Sequence, residues 1–468
     1  MNILELLKPG DKAALIQGNK RVTYSELLKG GLGFGGCLHS EGVKAGSHVL
    51  VFIPLSIELY TAMIGAWSIG ASAIFIDFSR GSKFVSDSIE RLKPDVIVCD
   101  TVTGFVRNMY PKMHRIKTIS IKSSGKPVDI EKVDAEHPAI LTFTSGTTGV
   151  PKIAVRTHGF LINQYNVLCK HIDFNENHID LGTLPVFTLA NLAAKMTTLL
   201  PDKSYKSKIN SGRLAAKMEN ENVTRAICSP ALMAKLLKHS SFPLINNMYL
   251  GGGPVYPSLL EKVRKDVDLQ IVYGSTEAEP IAGIRWADVD AEDRKKIADG
   301  AGLLVGRVVS EVECRIGEKL ENEILVSGDT VLKGYLNGVG DIENKLREGD
   351  KVWHRTGDAG YFDEQGRLWL TGRVSQAIRD AKGTLYPFCV ECILDAHFGI
   401  RGAIIAGNGE RIVIIEKGAA NPDEVLKALQ PQHIERIVLI DKLPMDKRHG
   451  AKIDYERLGN KNLLATPR

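Results

Sequence analysis

Short apolar runs alternate with helix-like segments along the first half of the chain. Residues 48–56, 72–79 and 95–100 are apolar runs of strand length, and the segments between them carry apolar residues at helical spacing. Such alternation predicts a parallel β-sheet covered by helices. The longest apolar stretch, residues 63–76, is interrupted by glycine and serine and is shorter than the roughly 20 residues of a membrane helix. We interpret it as a buried helix that runs into a core strand.

The pattern changes in the last third of the chain. Residues 314–337 and 359–373 are typical of short strands separated by turn residues. Beyond Arg373, two strand-like runs and a helix-like segment are enough for a small α+β domain. The prediction is an α/β protein with a large N-terminal domain over residues 1–372, in which helices cover β-sheets. A hinge at 373–376 and a small, mobile α+β C-terminal domain at 377–468 complete it.

Composition and charge narrow the function classes. The chain has 468 residues, of which 44% are hydrophobic and 25% charged, as is usual for a globular protein. The net charge is +5, and basic residues are interleaved with acidic ones over the chain as a whole, which argues against a nucleic-acid partner. Seven scattered cysteines and a start without a secretory signal indicate reduced thiols in the cytoplasm. We therefore expect a cytoplasmic protein without a transmembrane segment; the oligomeric state stays open.

A loop rich in hydroxyl groups and glycine is the clearest candidate for chemistry. Residues 144–152 read TSGTTGVPK, between two apolar runs. Backbone N–H groups, hydroxyl donors and a cation suit a phosphate chain, and glycines let the backbone approach it. The order differs from a Walker-type loop, because proline precedes the lysine and isoleucine follows it. A second signal, G-x-G-x-x-G at residues 31–36, follows a helix-like segment instead of a strand, so we interpret it as small residues on a packed helix.

At these residues the chain resembles the acyl-adenylate-forming superfamily, which includes acyl-CoA synthetases, luciferases of the firefly type and nonribosomal adenylation domains. Four further stretches match motifs of that family in the same order: residues 250–263, 273–279, 354–373 and 444–458. Five motifs in order make chance similarity very small. The resemblance implies a large domain that forms acyl-adenylates, a mobile lid domain, and ATP and Mg²⁺ as requirements.

The resemblance also implies roles for individual residues. Tyr273 would lie against the adenine ring, Thr276 would donate to the α-phosphate, and Glu277 would hold Mg²⁺. Lys452 would neutralise charge that develops on the α-phosphate and the attacking carboxylate. The remaining nucleotide contacts would come from the glycine loop, from backbone against adenine and from two ribose ligands: Thr144, Ser145, Gly146, Thr147, Thr148, Gly149, Lys152, Gly252, Gly253, Gly274, Asp358 and Arg373.

Two positions differ from the usual family pattern. The hinge residue, commonly aspartate or lysine, is Gln376 here, and glutamine still allows rotation. The motif after the glycine loop has Phe187 and no histidine, which suits an apolar acyl chain, although a core phenylalanine fits equally.

Three functions compete. The first is activation of a fatty or 3-hydroxy fatty acid as acyl-AMP, with release of pyrophosphate and transfer to coenzyme A, as in fatty acyl-CoA synthetases. The second is a β-lactone synthetase of an olefin pathway, in which the substrate's own 3-hydroxyl displaces AMP; residues 273–282 and 446–458 resemble those enzymes more closely. The third is a nucleotide-binding relative without catalysis. The intact Lys452 and Glu277 argue against the third, and the motifs place coenzyme A first without excluding the hydroxyl.

Overall fold

The structure is a computed structural model that describes residues 1–144, 151–204, 209–407, 409–445 and 453–459. The strands are β1 (Ala13–Gln17), β2 (Lys20–Thr23), β3 (His48–Phe52), β4 (Ser72–Phe75), β5 (Val96–Cys99), β6 (Lys117–Ser120), β7 (Pro138–Thr144), β8 (Lys152–Thr157), β9 (Ile179–Gly182), β10 (Thr197–Leu199), β11 (Arg225–Cys228), β12 (Asn247–Gly251), β13 (Asp268–Ser275), β14 (Ala278–Arg285), β15 (Leu303–Val308), β16 (Val312–Gly317), β17 (Glu323–Gly328), β18 (Lys345–Glu348), β19 (Lys351–Phe362), β20 (Leu368–Arg373), β21 (Ile378–Asp380), β22 (Gly383–Leu385), β23 (Gly402–Gly407), β24 (Glu410–Glu416) and β25 (Arg436–Ile440). The α-helices are α1 (Tyr24–Ser40), α2 (Ile57–Ser68), α3 (Ser82–Leu92), α4 (Thr101–Val106), α5 (His158–His171), α6 (Pro185–Ala193), α7 (Ser211–Asn220), α8 (Pro230–Leu236), α9 (Pro257–Leu260), α10 (Ala291–Ala298), α11 (Asp341–Asn344), α12 (Pro387–Phe398), α13 (Pro422–Ala428) and α14 (Tyr455–Gly459).

The first sheet has the strand order β6-β5-β3-β4-β7-β8. Its strands are parallel except β8, which pairs antiparallel with β7. Helices α1 and α2 contribute to the hydrophobic cluster on one face, and α3 contributes to the cluster on the other. The predicted apolar runs contain β3, β4 and β5, and residues 63–76 are the end of α2 followed by β4, as expected. Among the described residues, no helix is long and apolar enough to span a membrane.

The glycines at residues 31–36 lie inside α1, so they do not form a nucleotide-binding turn. A Cβ atom built on Gly31 would lie 2.3 Å from Cγ2 of Ile64 on α2, and one on Gly35 would lie 2.1 Å from Oγ of Ser68. The small residues therefore let α1 and α2 approach closely, which confirms the interpretation from the sequence.

The second sheet changes character along its width. Strands β1, β10, β9, β11, β12 and β13 are parallel neighbours, and from β14 onward the pairing through β15, β20, β19, β17 and β16 is antiparallel. This confirms the α/β class, and the short strands predicted for the last third pair antiparallel. The carboxyl ends of β11, β12 and β13 consequently share one edge of the sheet, which is where parallel sheets bind ligands.

The chain leaves the second sheet at Arg373 through a single 3-10 turn, Val374–Gln376. Strands β23, β24 and β25 beyond it form a separate three-stranded sheet. Two hydrophobic clusters there consist entirely of residues after 377. The division at 373–376 stays a prediction, and this local core is compatible with it.

Helix α12 connects the C-terminal part to the rest through both polar and apolar contacts. Glu391 accepts hydrogen bonds from the hydroxyls of Tyr256 and Tyr455. Asp395 accepts one from the backbone N–H of Ser258 at 2.8 Å and another from its hydroxyl at 2.7 Å. Cys392 on the same helix reaches the large hydrophobic cluster of the second sheet.

A buried ion pair connects β9 and β11 and generates the first prediction. Arg225 Nη1 lies 2.9 Å from Asp180 Oδ1, and both side chains are almost fully buried. Replacing Arg225 with alanine leaves the carboxylate buried without its cation, so we expect a loss of ~3–5 kcal/mol in the free energy of unfolding, measured by urea denaturation. The control is Arg285→Ala, whose exposed pair with Asp268 spans 3.3 Å and is expected to contribute less than ~1 kcal/mol. Equal losses in both variants would contradict the prediction.

Candidate active site

The two ends of the glycine loop lie side by side. Thr144 ends β7, Lys152 begins β8, and the two residues are register partners in the antiparallel pair. Both are buried. The predicted contacts at Ser145, Gly146, Thr147, Thr148 and Gly149 lie outside the described residues. A hairpin of this kind holds a hydroxyl and an ammonium group at the mouth of the loop.

Glu277 lies in the tight connection between β13 and β14, where Ser275 pairs with Ala278. Thr276 is its neighbour in the same turn. The hydroxyl of Tyr335 donates to Glu277 Oε1 at 3.1 Å. Burial raises the pKa of Glu277, but the neighbouring His354, the nearby hydroxyl of Thr144 and the hydrogen bond from Tyr335 outweigh burial, so the pKa lies below its usual value. The lowered pKa favours the carboxylate form.

Two lysines flank Tyr335, the residue that contacts Glu277. The ammonium nitrogens of Lys152 and Lys345 lie 5.3 Å and 5.2 Å from the centre of the tyrosine ring. Lys152 Nζ also donates to Asn344 Oδ1 at 2.6 Å, and Lys345 Nζ donates to the carbonyl of Leu332. Burial lowers the pKa of Lys345 to about 8. Cationic groups are thus held next to Glu277 before any phosphate arrives.

Residues 331–345, which we call the strap, bring these groups together. Ala278 forms an isolated antiparallel bridge with Val331, and Ala154 forms one with Tyr335. The backbone N–H of Leu332 donates to the carbonyl of Glu277 at 2.8 Å. The strap therefore crosses both the β13–β14 turn and the start of β8. No sequence motif predicts Tyr335, Asn344 and Lys345 as part of the site, because they lie 58 to 68 positions from Glu277 and belong to no recognised phosphate motif.

A second group of side chains joins β13, β19 and β20. Asp358 on β19 lies opposite Arg373 on β20, and its Oδ1 is 2.9 Å from Arg373 Nε. The hydroxyl of Tyr273 donates to Asp358 Oδ2 at 2.9 Å. Three predicted nucleotide contacts are thus brought together. The hydrogen bond from the Tyr273 hydroxyl was not predicted, and it fixes the position of the ring edge. Each Asp358 oxygen keeps one lone pair that can accept a hydrogen bond from a further donor.

The glycines after β12 border open space. Gly252 has φ +74°, a conformation that favours glycine, and a Cβ atom built on it would have no atom within 4 Å. A Cβ on Gly253 would approach only Pro230 Cδ, at 3.8 Å. Gly274 differs, since its Cβ would lie 3.0 Å from the carbonyl oxygen of Ala278. The first two glycines can therefore accommodate a flat ligand, whereas the third is required at least for the β13–β14 turn.

The structure does not place the other predicted residues in the cluster around Glu277. Phe187 on α6 is buried in a cluster with Leu168, Ile227, Tyr249 and Val272, which is what a core phenylalanine does. Gln376 ends the 3-10 turn after β20. Lys452 lies outside the described residues. The residues that flank its loop, Met445 and Ile453, form an isolated antiparallel bridge.

The residues present fit a phosphate chain with a divalent cation. The buried hydroxyl of Thr144 has no hydrogen-bond partner among the described residues, although it lies close enough to Glu277 to influence its pKa. An ionised carboxylate next to that hydroxyl supplies oxygen ligands of the kind Mg²⁺ prefers. Within the described part of the chain no group of three or more acidic, histidine or cysteine side chains could hold a metal alone. Most ligands of such an ion would have to come from the phosphates and water.

Comparison with known proteins identifies the family. The model of the AMP-binding enzyme family matches residues 6–336, more than half of the chain. The chain belongs to this family. The structure similarly resembles the O-succinylbenzoate coenzyme A synthetase from Bacillus subtilis in complex with ATP and magnesium, with a TM-score of 0.81 and 21% identity over 96% of this chain and 97% of that one. An anthranilate CoA ligase in complex with anthranoyl-AMP gives a TM-score of 0.84 at 16% identity, covering 99% and 98%. These likenesses show the adenylate-forming fold.

Sequence relatives of this AMP-binding enzyme include olefin beta-lactone synthetases and CoA ligases. The olefin beta-lactone synthetase of Xanthomonas campestris pv. campestris is 28% identical, covering 93% of this chain and 90% of the relative. That of Stenotrophomonas maltophilia is 27% identical, covering 90% and 87%. The 2-succinylbenzoate–CoA ligase of Bacillus licheniformis is 25% identical, covering 85% and 84%. Both kinds of relative agree with an acyl-adenylate-forming enzyme, and their names differ in the product, a β-lactone or a CoA derivative.

Proposed function

We propose that this adenylate-forming enzyme activates a 3-hydroxy fatty acid as acyl-AMP and that the substrate's own 3-hydroxyl then displaces AMP to close a β-lactone. The observation that carries the first step is the convergence of Thr144, Lys152 and Glu277 at the mouth of the glycine loop. The second step is supported by the similarity to olefin beta-lactone synthetases over 93% of the chain. The sequence motifs alone favour coenzyme A as the acceptor of the acyl group, whereas the similarity to these relatives favours the substrate's 3-hydroxyl.

In the first step the substrate carboxylate attacks the α-phosphorus of ATP, and the bond to pyrophosphate breaks. Lys152 would exchange its hydrogen bond to Asn344 for the phosphates, while Thr276 and Lys452 would stabilise charge on the α-phosphate. Asp358 and Arg373 would hold the ribose, with the adenine between Tyr273 and the glycines at 252 and 253. Bound to Glu277, Mg²⁺ would neutralise phosphate charge.

In the second step the 3-hydroxyl oxygen attacks the acyl carbon, the acyl–phosphate C–O bond breaks, and AMP leaves while the hydroxyl proton passes to solvent. A coenzyme A thiol in place of the hydroxyl gives the competing product, an acyl-CoA. The two functions are separated by incubating the enzyme with ATP, Mg²⁺ and paired acids of equal length, with and without the 3-hydroxyl, in the presence and absence of coenzyme A. We expect thiol-free release of AMP and a lactone only from the hydroxylated acid. An acyl-CoA formed equally from both acids would overturn the lactone proposal and leave adenylation intact.

Glu277→Ala is expected to abolish Mg²⁺-dependent adenylation, because it removes the proposed metal ligand. Pyrophosphate release is the measurement, and circular dichroism checks that the variant is folded. Glu343→Ala is the matched control, since this exposed carboxylate also interacts with Lys152 but has no contact with Glu277 among the described residues. Full pyrophosphate release by Glu277→Ala would remove this residue from the site.

Tyr335→Phe is expected to raise the Mg²⁺ concentration needed for half-maximal activity by about tenfold, because the hydrogen bond that orients the Glu277 carboxylate is lost. At saturating Mg²⁺ the turnover number should largely recover. A second readout is the Mg²⁺ dependence of thermal stabilisation by ATP, which involves no turnover. Tyr361→Phe, a more exposed tyrosine whose hydroxyl is 3.4 Å from the carbonyl of Ala301, serves as control. An unchanged Mg²⁺ requirement would show that Tyr335 does not position Glu277.

Lys452→Ala is expected to leave ATP binding largely intact and to slow adenylation by orders of magnitude, since the ammonium acts on charge in the transition state. If the C-terminal part rotates about Gln376 between the two steps, a supplied 3-hydroxyacyl-adenylate should still be consumed without a thiol. Single-turnover rates of the two half-reactions are the measurement. Equal loss in both would mean that Lys452 has a structural role or that no rotation occurs.

A further inference from the structure

One segment of the chain departs from the general mixing of charges. Residues 101–128 contain no aspartate or glutamate, although they lie between Asp100 and Asp129. The same 28 residues include six lysines and arginines and one histidine: Arg107, Lys112, His114, Arg115, Lys117, Lys122 and Lys126. We call this stretch the basic segment. Over the whole chain, by contrast, 60 basic residues face 55 acidic ones.

The basic segment also exposes large apolar side chains. Val102, Phe105 and Met109 are 42%, 78% and 73% exposed. They are spaced by three and four residues along α4 and the 3-10 turn that follows it, Arg107–Met109, so they project from one face. Other apolar residues of the segment, such as Met113, Ile119 and Ile121, are buried. Only some apolar side chains of the segment are therefore exposed, and the segment as a whole is packed.

The exposed face is held firmly in place. Asp100 caps α4 by accepting the backbone N–H of Thr103 at 2.8 Å. Arg107 Nη1 donates to Thr118 Oγ1 on β6 at 2.6 Å. The ring of Tyr110 packs edge-on against Phe78, with the ring centres 5.5 Å apart. These contacts hold the backbone so that Phe105 and Met109 project into solvent. Exposure of such apolar side chains to water is unfavourable, and their burial by a binding partner would remove that free-energy cost.

The charges of the basic segment are only partly neutralised. Lys112 and Lys117 pair with Glu90 and Glu41, each at 2.6 Å. Within the described part of the chain, Arg115, Lys122 and Lys126 have no acidic partner within 4.0 Å, and all three are exposed. His114 Nε2 lies 3.1 Å from the carbonyl of Asn108, so this part of the basic segment, with Arg115 next to His114, lies against the turn that carries Met109. A segment that combines projecting phenylalanine and methionine with unneutralised arginine and lysine matches the interface of an anionic bilayer, where apolar groups enter the acyl boundary and cations meet the headgroups.

We propose that the basic segment docks this enzyme onto membranes that contain anionic phospholipids. The position is favourable for the reaction: α4 begins directly after β5, at the carboxyl edge of the sheet whose strand β7 ends at Thr144. A water-insoluble acid dissolved in the bilayer would be delivered near that edge, a consequence that rests on the proposed function. The docking itself does not depend on it.

The test measures co-sedimentation of the full chain with vesicles, without ATP or acid, so it is independent of adenylation. One vesicle contains phosphatidylcholine with 30% phosphatidylglycerol (about one lipid in three), and the other contains phosphatidylcholine alone. We expect binding to the first, weak binding to the second, and loss of binding as salt is raised. Absence of binding to the anionic vesicles, or equal binding to both, would overturn the proposal.

Paired variants locate the surface. The double variant Phe105→Ser/Met109→Ser is expected to lower the partition coefficient about tenfold or more, because two inserted side chains are lost. Arg115→Glu/Lys122→Glu should lower it comparably, and only for the anionic vesicles. Ile342→Ser is the matched control, since this side chain is 93% exposed but lies outside the basic segment. Thermal midpoints and pyrophosphate release with a short, water-soluble acid should stay unchanged in both double variants.

Two results would assign the face differently. Equal loss of vesicle binding in Ile342→Ser would mean that exposed apolar residues act without regard to position. If Phe105→Ser/Met109→Ser abolishes self-association in light scattering while vesicle binding persists, the face is an interface between copies of this chain and the membrane proposal is wrong.

Discussion

The candidate site depends on keeping one carboxylate ionised while it is largely removed from water. Burial alone would raise the pKa of Glu277, and the neighbouring His354 together with the hydroxyls of Thr144 and Tyr335 lowers it below its usual value. For Lys152 and Lys345 the effects on the pKa have the opposite signs: burial lowers the pKa of each lysine, and the charge of Glu277 raises it. Glu277 therefore stabilises the charged forms of both lysines, whereas the charge of Lys152 disfavours that of Lys345. Removal of any one would alter the protonation of the others.

This electrostatic dependence makes the strap as important as the glycine loop for assembling the charged groups of the site. The loop supplies ends that are close in sequence, but Glu277 is 125 residues beyond Lys152 and Tyr335 is 58 residues beyond Glu277. Two isolated bridges, Ala278 with Val331 and Ala154 with Tyr335, are what bring these distant segments into one cluster. Backbone pairing of this kind sets the position of the side chains before any ligand binds, which is the form of preorganisation that catalysis of charge transfer requires.

Much of the fold followed from the sequence, because periodicity and turn residues report local structure directly. The buried strands β3, β4 and β5 and the helical nature of residues 31–36 were predicted correctly. Motifs also anticipated that Thr144, Lys152 and Glu277 would meet, and that Asp358 would lie beside Arg373. The contacts of Tyr335, Asn344 and Lys345 could not be predicted, because no local pattern distinguishes a tyrosine that orients a carboxylate 58 residues away from one in a core. The hydrogen bond from the Tyr273 hydroxyl to Asp358 was not predicted for the same reason. The resemblance to the family implies a role for the tyrosine ring against adenine and none for its hydroxyl.

The contacts of α12 bear on how the C-terminal part could move. A rotation about Gln376 would have to break the hydrogen bonds that Glu391 accepts from Tyr256 and those that Asp395 accepts from Ser258. Exchanging such bonds for bonds to water costs little net free energy, whereas exposing an apolar interface of equal area would cost far more. Apolar contacts are present as well: Cys392 is buried in the large cluster, Phe388 packs against the same cluster, and Tyr386 and Cys389 form a small cluster with Ala359 of β19. These contacts would also have to be exchanged in a rotation. Rotation about Gln376 would therefore exchange several hydrogen bonds and a limited apolar contact for contacts with water, and a second arrangement of the C-terminal part stays a prediction.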